Sequence, residues 1–219
     1  TLLEDESAGV GVVDAITGIA NCRVEVEGRA DHAGSTGMFE RADALAATAD
    51  ILRAVEAAGR EHAIETGGTA VATVGELEVA PNVRNIVPES VTARLDIRDV
   101  DEDVMDAMIE RVRRASARIE RERPVGVSVD HYRHDPPSEM SRRCVDAARE
   151  AAAEAGVEYR NTHSAGMHDT ALLADVTDAG LLFAPSSGGV SHSPREWTDW
   201  EDCAAATEVL ARTLVRLAA

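Results

Sequence analysis

Val91-Thr92-Ala93-Arg94-Leu95-Asp96-Ile97-Arg98 alternates apolar and polar side chains over eight residues. Successive side chains of an extended strand point to opposite faces, so the run predicts a strand with one buried and one solvated face. Cys22, Val24 and Val26 alternate with Arg23, Glu25 and Glu27 in the same way. Between the two runs, residues 41–58 carry an apolar stripe of Leu45, Ile51, Leu52 and Val55 that predicts a helix stopping at Gly59. Past Gly67-Gly68, a further strand is marked by Val71, Thr73, Leu77 and Val79. After the opening run comes a second helix, with Val104, Met108, Ile109, Val112 and Ile119 on one face and Pro124 at its end. Val125, Val127 and Val129 mark one more strand. The order from 22 to 134 is therefore β-α-β-β-α-β, the ferredoxin-like split βαβ arrangement with two helices on one face of an antiparallel sheet.

The rhythm changes at Pro136-Pro137. A helix at about 138–155, a loop at 163–169, a short helix to about 175 and the apolar strand Leu181-Leu182-Phe183-Ala184 follow. A loop at 185–198 leads to a terminal helix bearing Leu210, Leu214 and Leu217. Helices alternating with short apolar strands predict part of an α/β layer with parallel strands. One or two strands do not make such a sheet, so this part reads as incomplete by itself. The expected division is 1–20 (with an apolar strand at 9–13) as a strand and connector, 21–134 as the ferredoxin-like domain and 135–219 as the remainder. The fold class is α/β (α+β).

The 219 residues hold 40 Asp and Glu against 22 basic residues, every one an Arg, for a formal charge of −18. Such a charge opposes nucleic acid and anionic membranes as partners. No window approaches the roughly 18 apolar residues that span a bilayer. Cys22, Cys144 and Cys203 are odd in number and far apart, which points to reduced thiols in a cytoplasm. Carboxylates in excess with no Lys suggest a salt-adapted organism; a GC-rich genome favouring Arg and Ala is the alternative.

The chemistry-bearing residues lie in loops and at strand ends. Asp31-His32-Ala33-Gly34-Ser35-Thr36 sets a His among small residues, open to an anion or a polarised carbonyl oxygen, or else an ordinary exposed turn His. Pro81-Asn82-Val83-Arg84-Asn85-Ile86-Val87-Pro88 is fenced by prolines, so a side-chain amide there gives up little entropy on binding; its Asn residues also suit a plain turn. Arg98 suits a bidentate grip on a substrate carboxylate, but Arg94, Asp96, Arg98 and Asp99 equally suit mutual ion pairs across a solvated sheet face. His192, after the Leu181 strand and Gly188-Gly189, stands where ligands of α/β sheets bind. Its imidazole suits a divalent transition metal, with Glu196 to orient it, or a hydrogen bond to backbone. His168-Asp169 reads as a substrate contact or as a helix N-cap. The seven His form no compact metal signature.

Together these segments resemble the amidase, hydantoinase/carbamoylase branch of the M20 metallopeptidase family, which includes N-carbamoyl-L-amino-acid hydrolases and allantoate amidohydrolases. Its motifs occur here in order: His32-Ala33-Gly34-Ser35-Thr36-Gly37-Met38 with Arg41 and Asp43, Pro81-Asn82 with Asn85 and Pro88, and Asp96-Ile97-Arg98-Asp99. Ser164-Ala165-Gly166-Met167-His168-Asp169 and Gly189-Val190-Ser191-His192-Ser193-Pro194-Arg195-Glu196 complete the set. The resemblance implies a ferredoxin-like lid that dimerises and the C-terminal part of a zinc-peptidase-like α/β catalytic domain. It implies His192 as a metal ligand, Asn85, Arg98 and His168 at the substrate, and His32 stabilising the oxyanion in a partner subunit's site. The implied reaction is attack of a metal-bridging hydroxide on the carbonyl of an N-carbamoyl-amino acid or related ureido acid, with a Glu as general base and two Zn or Mn ions in the complete enzyme. Gly37, Met167 and Thr170 depart from the family's Pro, Gly and Ala. The remaining ligands would precede Thr1, so the chain is expected to be a C-terminal half that alone binds no metal. The other readings are a non-catalytic dimerising remnant and an aminoacylase or dipeptidase relative.

Overall fold

The computed structural model describes residues 2–5 and 7–219. Its helices are Leu2–Asp5 (α1), Ala44–Glu65 (α2), Glu102–Glu122 (α3), Arg142–Ala155 (α4), Thr170–Ala174 (α5) and Trp200–Ala218 (α6). Its strands are Val10–Ile16 (β1), Gly18–Glu27 (β2), Asp31–His32 (β3), Val71–Ala80 (β4), Ile86–Val87 (β5), Ser90–Asp99 (β6), Gly126–Asp135 (β7), Ser138–Glu139 (β8), Tyr159–Ser164 (β9) and Leu181–Phe183 (β10). The chain folds as two compact units, Gly18–Pro136 and the stretch up to Thr17 joined with Pro137–Ala219.

In the first of these units the strands lie in the order β4-β6-β2-β7, all antiparallel, which is the ferredoxin-like topology expected. The alternation that opened the sequence sets the sheet's two faces. Val91, Ala93, Leu95 and Ile97 are buried with Ala20, Cys22, Val24 and Val26 of β2 against α2 and α3. Burying each side chain of Val or Leu size contributes about 1.5–3 kcal/mol, so this layer is the unit's main source of stability. Asp43 and Asp101 cap the two helices, their carboxylates accepting the backbone N–H of Ala46 and Asp103 at 2.9 Å each.

Gly59 does not end α2, which runs on to Glu65. A Cβ on Gly59 would stand 3.1 Å from both Cβ and N of Ala72, so the glycine is there to let helix and strand approach. Leu45 also departs from the expected stripe. It stays exposed, and the inward face is Ala44, Ala47, Thr48, Ile51, Val55 and Ala58.

The other unit is built on β1. β9 pairs with it in parallel along one edge, and β10 and β8 pair antiparallel along the other. The sheet is therefore mixed and four-stranded, where the sequence suggested parallel strands and only one or two of them. β9 was hidden because Arg160, Asn161, Thr162 and His163 give it no apolar signal. Ser138–Glu139 pairs with β1 and delays α4 to Arg142. Val12, Val13, Ile16, Met140, Val145 and Ala148 form one core cluster, and Val10, Ala151, Ala152 and Val209 another. On α6, Val209 and Thr213 turn inward, while Leu210, Leu214 and Leu217 line a cavity of about 280 Å³ with Leu173, Leu181 and Val145. Among the described residues no helix is long and apolar enough to cross a membrane.

Candidate functional site

His32 ends β3, which pairs with β5 so that His32 stands opposite Ile86. The root of this loop is tight. A Cβ on Gly28 would lie 2.1 Å from the Ala42 carbonyl oxygen, so only glycine fits where the strand turns away from the sheet. Beyond it, the Nδ1 atom of His32 accepts the N–H of Gly34 at 3.0 Å and of Ser35 at 3.2 Å. In the neutral ring the proton is then on Nε2, which leaves an N–H donor on an exposed side chain. Such a donor, fixed before substrate arrives, suits a developing oxyanion.

Two residues that sequence reasoning left without a role hold this turn. Asp31 is kept below the usual carboxylate range chiefly by the Thr36 hydroxyl and next by the His32 N–H, which it accepts at 3.1 Å. Arg41 donates from Nη2 to the Ala33 carbonyl at 2.6 Å and from Nε to the Thr36 carbonyl at 3.1 Å. A carboxylate and an arginine bracketing a short polar turn were the signal available. Asn85 joins His32 here: its carbonyl accepts the Ala33 N–H at 3.0 Å, and its side chain is exposed. Asn82 supplies the left-handed turn of that loop, with φ 54°.

Arg98 is elsewhere. It lies eight residues along β6 from Ser90, about 27 Å at ~3.4 Å per residue, at the opposite end of the sheet from the His32 and Asn85 loops. Its guanidinium grips Asp96, Nε to Oδ1 at 2.6 Å and Nη2 to Oδ2 at 3.0 Å. That hydrogen-bonded pairing raises the Arg98 pKa further. Arg94 likewise pairs with Glu76 and Glu78, so the solvated face of the sheet carries the ion pairs that its charge pattern allowed.

In the other unit, His168 caps α5. Its Nδ1 accepts the Thr170 N–H at 3.1 Å, a task the sequence offered to Asp169, which makes no side-chain cap bond. The Nε2–H of the neutral His168 ring therefore points away from the helix end as a donor. His192 has a left-handed backbone, φ 55°, which a non-glycine residue adopts at a cost of about 1–3 kcal/mol and which clusters at functional sites. Glu196 holds it by accepting the backbone N–H of His192 at 3.0 Å, so the carboxylate fixes the main chain where an orienting contact to the ring was expected. Among the described residues no three His, Cys, Asp or Glu side chains stand close enough to hold a metal ion. His192 offers one donor, and these residues do not by themselves fit a metal centre.

The model of peptidase family M20/M25/M40 matches residues 4–216. The chain belongs to that family. It is 39% identical over 216 residues to the N-carbamoyl-L-amino-acid amidohydrolase of Paenarthrobacter aurescens, covering 99% of this chain and 52% of that protein. It is 32% identical over 218 residues to the allantoate amidohydrolase of Escherichia coli, covering 99% of this chain and 52% of that protein. The crystal structure of an amidase of the hydantoinase/carbamoylase family from Burkholderia multivorans superposes with a TM-score of 0.89 at 32% identity, over 98% of this chain and 52% of that one. The matched region takes in both the ferredoxin-like unit and the mixed-sheet unit of this M20 chain. The chain spans about half the length of the curated relatives it matches.

Proposed function

We propose that this M20 chain serves an amidohydrolase that cleaves the linear C–N amide bond of N-carbamoyl-amino acids or related ureido acids. The observation that carries the reading is the clamp on His32: two backbone amides on Nδ1 leave Nε2–H as a preset donor for the oxyanion of a tetrahedral intermediate. Asn85, Arg98 and His168 bind substrate, with Arg98 taking the carboxylate and the Asn85 amide completing its recognition. The complete enzyme holds two divalent metal ions, Zn or Mn, to which this chain supplies the His192 imidazole.

The ferredoxin-like unit also makes a homodimer in this reading. Arg98 lies about 27 Å along β6 from Ser90, at the far end of that strand from the β3–β5 ribbon that carries His32, too far for one small ureido acid to touch both within a single chain. Two copies supply both groups to each site, His32 and Asn85 from one and Arg98 from the other. The lysine-free composition, the −18 charge and the free cysteines support a salt-rich cytoplasm as its compartment.

The test is hydrolysis of N-carbamoyl-L-amino acids, allantoate and ureidoglycolate by the complete protein with added Mn²⁺ or Zn²⁺. Ureido hydrolysis that falls about 10²–10³-fold in His32→Ala at unchanged stability supports the reading. Turnover confined to dipeptides or N-acyl amino acids, or a fully active His32→Ala, overturns it.

A further inference from the structure

The loop that presents His192 is fastened at three points. At its neck the Ser187 N–H donates to the Trp197 carbonyl at 2.8 Å. In its second half the His192 N–H reaches the Glu196 carboxylate. In its first half the Gly188 N–H donates to the carboxylate of Glu4, 3.1 Å from Oε1 and 3.0 Å from Oε2. Glu4 lies 184 residues away in α1, so this is the fastening point that local sequence does not supply.

Gly188, Gly189 and His192 all have left-handed backbones, with φ 63°, 61° and 55°. Successive turns of this hand swing N–H groups out of any ladder, and a carboxylate is a natural acceptor for them. Glu4 is itself set in place from both sides: the Ser7 N–H donates to its carbonyl at 3.1 Å, and the Ala8 N–H to the Leu3 carbonyl at 2.9 Å. Leu3 anchors the turn against β1, where its two Cδ atoms lie 3.3 Å from the position a Cβ on Gly11 would take.

We propose that Glu4 is a positioning residue that fixes the His192 loop by accepting the Gly188 N–H. The two carboxylates then act on opposite halves of one loop, Glu4 on the approach and Glu196 at the His itself. This arrangement holds His192 in a backbone conformation that it would otherwise leave. The functional meaning rests on the proposed role of His192 as a donor; the positioning itself stands on the hydrogen bonds alone.

Backbone amide exchange in the ¹⁵N-labelled chain tests it at neutral pH. In Glu4→Ala, exchange at Gly188 and His192 speeds up about tenfold, while amides in the middle of α4 and of β6 keep their rates. Glu4→Gln, which retains one acceptor oxygen, recovers most of the protection. Glu4→Asp keeps the charge but shortens the reach by one methylene, and it resembles Glu4→Ala; it also serves if the alanine variant does not fold. Unchanged exchange at Gly188 and His192 in both Ala and Asp variants overturns the proposal, as does loss spread evenly through α4 and α6. Titrating the complete protein with Zn²⁺ while following the His192 ring signals probes the separate donor reading. A silent ring together with a Glu4-dependent loop sinks that reading and leaves the positioning role standing.

Discussion

Arg98 and Asp96 share one face of β6, two residues apart, and are joined by two parallel hydrogen bonds of 2.6 and 3.0 Å. The arginine expected to grip a substrate carboxylate thus already holds a carboxylate of its own. A carboxylate bound by the same guanidinium would have to compete with Asp96 or share the group with its charge.

Asp96→Asn should therefore improve substrate binding. The substitution keeps the side-chain shape and removes the competing charge, and a partly exposed pair of this kind contributes about 0.2–1 kcal/mol. KM for an N-carbamoyl-amino acid should fall about two- to fivefold with kcat nearly unchanged. A KM that rises, as is expected of Arg98→Ala, would show that Asp96 orients the guanidinium.

Arg41 should matter through His32. Removing its hydrogen bonds to the Ala33 and Thr36 carbonyls frees the turn while leaving the imidazole present. Arg41→Ala should lower kcat about ten- to hundredfold. In a His32→Ala background the same change should add little, since both substitutions disable one device. Additive losses in the double variant would assign Arg41 a separate role.

Mixed dimers report which copy supplies which group. Full-length His32→Ala and Arg98→Ala proteins should each be nearly inactive. Unfolded and refolded together in equal amounts, they should regain about a quarter of wild-type activity, because half the dimers are mixed and each mixed dimer has one intact site. Activity that stays at the level of the single variants would place both groups on the same chain.

Cys22 gives a stability signature at high pH. Burial, the largest cause, pushes its thiol up to about 11. In the unfolded chain it ionises near 9, whereas the folded chain keeps the proton until about pH 11. Between those values the folded state binds more protons, so its stability falls as pH rises. The loss should be of order 2 kcal/mol across that window, and Cys22→Ala should flatten the dependence by that amount. Denaturant midpoints at pH 8, 9.5 and 10.5 provide the check.

Salt should stabilise the chain. With 40 acidic residues against 22 arginines, repulsion among carboxylates outweighs the surface ion pairs, and molar KCl screens both. The melting temperature should rise from dilute buffer to 2 M KCl. Equal or lower stability at high salt would remove the case for a saline cytoplasm.

The parts of the fold that follow one repeating rule were legible in the sequence. The period-two runs at 22–26 and 91–97 gave β2 and β6 with their buried faces correct, and the split βαβ order followed from them. What escaped notice is set by neighbours far along the chain. Gly59 resembles a helix stop until Ala72 is seen beside it. β9 is held by its parallel pairing with β1, and a strand of Arg, Asn and His has no local mark. In the candidate site, the motifs supplied the names of His32, Asn85, Arg98, His168 and His192. The placement of His32 and Arg98 toward opposite ends of β6 required the strand register. The contact of Glu196 with a backbone N–H, not with the ring, required the left-handed turn at His192.

The turn that carries His32 is almost self-sufficient. Asp31, Gly34, Ser35, Thr36 and Arg41 satisfy one another and the imidazole within eleven consecutive residues, with Arg29 adding a side-chain contact to Asp31 and Asn85 a main-chain carbonyl to Ala33. It is therefore a portable cassette. Substitutions far from the loop and its Gly28 root can therefore accumulate without touching the hydrogen bonds that hold the imidazole.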